Sequence, residues 1–109
     1  MKTLQTICTS TLTVILLACS GAPSGASDYC KKEQQCRGGN DVDVAACEAE
    51  FSGAHKVAAA YDCAALYDAY VECIGANSTC DNSKLGTGDA CKGQKKSYDG
   101  CVEVASAIR

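Results

Sequence analysis

Hydrophobic and polar positions change their rhythm three times along this chain. Lys2 precedes a continuous apolar run, Leu12-Thr13-Val14-Ile15-Leu16-Leu17-Ala18. That run is shorter than the roughly 20 residues a spanning helix needs, and it fits the apolar region of an export signal covering residues 1–18. Small and polar residues follow, GAPSGAS from Gly21 to Ser27, with the only proline of the sequence. Residues 19–27 therefore read as a flexible tether, and residues 28–109 as the folded domain.

Within that domain the spacing is helical. Asp28 is placed to cap a short helix through Cys36, and Arg37-Gly38-Gly39-Asn40 reads as a turn. Asp41 or Asp43 can cap a second helix to about Gly53. From Lys56 to Ile74 alanines dominate, and Cys63, Leu66, Tyr70, Cys73 and Ile74 recur at steps of three and four, predicting one long helix with an apolar stripe. Gly75 and Asn77 are its stop signals. A last helix is expected from a cap near Asp89, with Cys91, Tyr98, Cys101, Val102 and Ala105 along one side. Its middle, KGQKKSYDG, holds two glycines, each worth about 1 kcal/mol less than alanine in a helix interior. The predicted fold class is all-α: a small disulfide-stapled bundle of two helical hairpins, about four helices, after a signal peptide and tether.

Composition explains why such a bundle needs staples. The chain has 109 residues, ten cysteines, one phenylalanine and no tryptophan. A domain of about 80 ordered residues with so few large side chains draws only ~3–5 kcal/mol of margin from its core, whereas each native disulfide typically adds ~2–4 kcal/mol. Such cysteine density signals an oxidising compartment. Loss of residues 1–18 leaves 13 acidic residues against nine basic ones, a mild argument against nucleic acid as a partner.

Leu16-Leu17-Ala18-Cys19 at the end of the apolar run resembles the lipobox of bacterial lipoproteins. The resemblance implies a diacylglyceryl thioether on Cys19, cleavage before it and acylation of the new amino group. Ser20, rather than aspartate, follows the cysteine, which by the same resemblance implies the outer membrane. An ordinary signal peptide cleaved after Ser24-Gly25-Ala26 is the alternative. Either route removes Cys8 and Cys19 from pairing and leaves Cys30, Cys36, Cys47, Cys63, Cys73, Cys80, Cys91 and Cys101.

Cys63-x9-Cys73 and Cys91-x9-Cys101 resemble the twin Cx9C helical hairpin. An antiparallel hairpin keeps the sum of paired residue numbers constant, and Cys63–Cys101 and Cys73–Cys91 both add to 164. The shorter upstream hairpin suggests Cys30–Cys47, leaving Cys36 for Cys80; the swap, Cys36–Cys47 with Cys30–Cys80, stays open. Taken whole, the layout resembles the small cysteine-rich lipoproteins of myxobacteria and related bacteria, a resemblance that implies no activity.

Other constellations favour no chemistry. Without a Cys-x2-Cys or Cys-x-Cys pair, neither a structural zinc site nor a thioredoxin-type centre is expected. His55, the only histidine, has no patterned partner, and Asp62, Asp68 and Glu72 read as carboxylates on a solvated face of the long helix. Asp41-Val42-Asp43 lacks the ligand ladder of a calcium loop. Lys92, Lys95 and Lys96 share a helical face, a small basic patch. Tyr29, Tyr61, Tyr67, Tyr70 and Tyr98 are split between core and contact surface. Asn77-Ser78-Thr79 is a glycosylation acceptor only in a eukaryotic source. The expectation is a non-enzymatic envelope protein with no cofactor, attached to the membrane through lipid on Cys19 and serving as a structural or binding module for an unknown ligand, a protein partner being one candidate. A secreted soluble toxin, inhibitor or effector is the alternative.

Overall fold

The computed structural model describes residues 23–107. Among these residues four helices are stapled by four disulfides: α1 (Ser24–Arg37), α2 (Asp41–Ala60), α3 (Ala64–Asn77) and α4 (Lys92–Ala107). A small hairpin, β1 (Thr79–Asp81) and β2 (Lys84–Gly86), separates the last two. The helices form two hairpins, α1–α2 and α3–α4, and these meet where α1 packs on α3.

The first helix starts earlier than its composition suggests. Ser24 to Ser27, expected to end the tether, form its first turn, and Pro23, Gly25 and Ala26 are buried. Small residues serve close contact here rather than flexibility. A Cβ on Gly25 would overlap the carbonyl of Val71, and one on Gly75 would overlap the carbonyl of Gly25. The two backbones therefore touch, and Lys32 on α1 ties down the end of α3 by donating to the carbonyl of Gly75 at 2.7 Å. Gly38, at φ 81°, ends α1, its N–H donating to Gln34 O.

Asn40, not Asp41 or Asp43, caps α2. Its side chain accepts from Val42 N at 2.8 Å and from Asp43 N at 3.3 Å, while the Asp43 carboxylate accepts from Asn40 N at 2.9 Å. This reciprocal capping box satisfies orphan donors at the helix start. The helix then runs beyond Gly53 to Ala60.

The expected long helix from Lys56 to Ile74 is broken at Tyr61-Asp62-Cys63. Cys63 N–H donates to Ala58 O at 2.8 Å and Asp62 N–H to Ala59 O at 3.0 Å. That crossed pair is a Schellman ending, with Asp62 at φ 58° in the left-handed position that glycine usually takes. Cys63 sits at the N-cap position of α3, and its carbonyl accepts from Tyr67 N. The break also turns the buried stripe. Cys63, Tyr67, Val71 and Ile74 face inward, whereas Leu66, expected there, is 38% exposed.

Gly75 lies inside α3 rather than ending it, and Ser78 closes the helix with its hydroxyl on Ile74 O. The β-hairpin was not expected. Thr79 faces Gly86, Cys80 faces Leu85 and Asp81 faces Lys84. Asn82 and Ser83 between them are both at positive φ, 49° and 62°, as a tight type I′ turn requires. The last helix begins three residues after Asp89, at Lys92, whose N–H donates to the Asp89 carbonyl and whose ammonium pairs with the Asp89 carboxylate.

Ala26, Ala58, Tyr67 and Val71 form the core, with Phe51, Ala54, Tyr70 and Tyr98 packed around it. No residue of α4 is buried. That helix meets the core through the half-buried ring of Tyr98 and through Cys101, bonded to the buried Cys63.

Candidate functional site

Cysteine chemistry dominates the molecule. Cys30 is bonded to Cys47 (Cα–Cα 5.8 Å), Cys36 to Cys80 (5.5 Å), Cys63 to Cys101 (6.0 Å) and Cys73 to Cys91 (5.8 Å). The swap of Cys36 with Cys30 is not the arrangement formed. Among the described residues no cysteine is free. Four such bonds belong to an oxidising environment, extracellular or in the cell envelope. Cys8, Cys19, the expected signal segment and the part of the expected tether up to residue 22 lie outside the described residues.

One polar cluster was not legible in sequence. His55 on α2 and Asp68 on α3 are joined by a 2.8 Å contact between Nδ1 and Oδ1, with side chains 24% and 45% exposed. His55 also meets the edge of Tyr67 at 6.4 Å between centroids, and Tyr67 meets Tyr98 of α4 at 5.1 Å. Three helices thus converge on one aromatic ring. Burial, helped by the nearby Tyr98, Tyr70 and Asp68, pushes the Tyr67 phenol up to about 12. Tyr98 is raised by burial and then by Asp99, and Tyr29 by burial and Glu33, against the lowering effect of Arg37. Tyr29 packs edge-on to Phe51 at 5.4 Å. These phenols stay protonated at neutral pH and pack edge-on against their aromatic neighbours.

The other candidates do not converge on one site. Asp62 is the helix-ending residue, Glu72 is exposed, and only Asp68 of the three carboxylates meets His55. Two of the three lysines of the α4 face are paired: Lys92 with Asp89 at 2.8 Å and Lys95 with Asp99 at 2.6 Å. The bond to Asp99 raises Lys95 above the ordinary lysine value. Between α3 and α4 a shallow groove of ≈ 380 Å³ is lined by Leu66, Ala69, Gly93, Gln94 and Ser97. Its lining combines apolar surface with two neutral polar side chains, Gln94 and Ser97.

Among the described residues no cluster of histidine, cysteine and carboxylate groups is arranged to hold a metal ion. No described helix is long and apolar enough to cross a membrane. Comparison with protein-family models, with curated proteins and with solved structures gave no match.

Proposed function

We propose that this protein is a lipid-anchored, non-enzymatic module of the bacterial cell envelope, attached through Cys19 and acting through surface contacts. The observation that carries the reading is Leu16-Leu17-Ala18-Cys19 at the end of an apolar run, directly ahead of a helical domain closed by four disulfides. One acyl chain binds a bilayer reversibly at about 0.8 kcal/mol per buried methylene, and two or three together anchor stably. Ser20 after the cysteine favours the outer membrane. The start of α1 supports this route over simple secretion. Cleavage after Ala26 removes Pro23, Gly25 and Ala26, three buried residues of which Ala26 belongs to the core.

Metabolic labelling with a fatty-acid analogue in a lipidating bacterial host tests the anchor. The wild-type chain is expected to take up label and Cys19→Ala to take up none. An unlabelled wild type, or a labelled variant, overturns the reading.

A further inference from the structure

The position of α1 has a consequence for how such an anchored domain sits. Pro23 and Gly25 are buried, and Gly25 is pressed backbone to backbone against Val71 and Glu72 of α3. The start of the domain is thereby fixed on its main helix crossing, with no room for a side chain at Gly25 or Gly75. Only residues 20–22 separate Cys19 from Pro23. Four backbone steps at no more than ~3.6 Å each span about 14 Å at full extension, so a stalk of any length is impossible.

Resting on the lipidation of Cys19 proposed above, we propose that the acyl chains hold the helical domain directly on the bilayer, with the start of α1 and the adjoining Glu72 side of α3 against the lipid headgroups. Exposed charges on these segments include Asp28 and Glu72, with Lys31 a turn further along α1. They carry no net positive charge. The contact is therefore set by the length of the covalent link rather than by attraction to anionic lipid, and it persists in zwitterionic bilayers at high salt. The far end of α1, some 21 Å away by its fourteen residues, adjoins the start of α2 and faces away from the lipid.

The chain lacks tryptophan, so single reporters can be introduced at exposed sites. The full chain carrying Ser24→Trp or Val42→Trp is produced in a lipidating host, its acylation is verified by intact mass, and it is reconstituted in zwitterionic vesicles with headgroup-linked quenchers. Quenching at Ser24→Trp is expected to exceed that at Val42→Trp roughly twofold, given their separation along α1. Inserting about ten Gly/Ser residues after Ser20, roughly 17 Å of added reach, is expected to erase the difference. Equal quenching at both sites in an acylated chain without the insert overturns this inference and leaves the anchor standing. A mass without acyl groups overturns the anchor itself, and this contact with it.

Discussion

The two interfaces made by α3 are held by opposite means. Against α1 it packs backbone to backbone, with Gly25 and Gly75 in direct contact and Ala26, Tyr67 and Val71 buried beside them. Against α4 it shares two disulfides, Cys63–Cys101 and Cys73–Cys91, and the ring of Tyr98, while α4 buries none of its residues. Dispersion and exclusion of water secure the first interface, and covalent closure of the chain secures the second. A sequence short of large side chains can concentrate its packing at one crossing and staple the remainder. Glycine accordingly has two meanings here. On α3 it is demanded by the neighbouring backbone, and on α4, where Gly93 and Gly100 face open space, it only weakens the helix.

The contrast can be broken first at the staples. Replacing Cys63 and Cys101 together by alanine opens a link between residues 38 apart and is expected to cost about 4 kcal/mol. Hydrogen exchange should then show α4 losing protection while α1 and α3 keep theirs; protection retained along α4 contradicts the covalent account. Gly75→Ala comes next, with an expected loss of about 2–3 kcal/mol in chemical denaturation as the new methyl meets the Gly25 backbone. The same change at Gly93 should have the opposite sign, a gain of about 0.5–1 kcal/mol, because the added Cβ meets nothing within 4 Å. A shared sign at the two positions removes the distinction between the interfaces.

The smallest effect at neutral pH belongs to Tyr67. Its folded pKa, about 12, lies above the ordinary 10.0. The folded state therefore holds that proton more tightly, and this contribution is complete below pH 10 and lost as pH rises through about 12. Tyr67→Phe should flatten the fall in stability between pH 10 and 12 measured by circular dichroism. An unchanged alkaline slope counts against the burial of this phenol.

Much of the framework was legible because cysteine spacing encodes register. Two equal intervals, Cys63 to Cys73 and Cys91 to Cys101, suffice to align an antiparallel helical pair, and the structure joins Cys63 to Cys101 and Cys73 to Cys91. The break at Asp62 was not legible, since alanine-rich sequence continues on both sides and the left-handed residue is an aspartate rather than a glycine. His55 and Asp68 were hidden for the same reason. Thirteen residues along an unbroken helix is about 20 Å, and the turn at Asp62 closes that distance to 2.8 Å between their side-chain atoms. Ser24-Gly25-Ala26 was read as tether because small residues signal flexibility and close packing alike, and only the partner helix decides between them. The β-hairpin escaped because its strands are three residues long and mostly exposed, too short to show alternation. The turn pair Asn82-Ser83 was the one available sign.

The way the four disulfides overlap in sequence gives the molecule resistance to nicking. Cys30–Cys47, Cys36–Cys80 and Cys63–Cys101 together span every peptide bond from Cys30 to Cys101. A protease that cuts once anywhere in that interval, including the exposed turn at Asn82-Ser83, releases no fragment, and the severed ends stay joined through sulfur. The clipped protein keeps its mass apart from one added water, and it separates into pieces only when its disulfides are reduced.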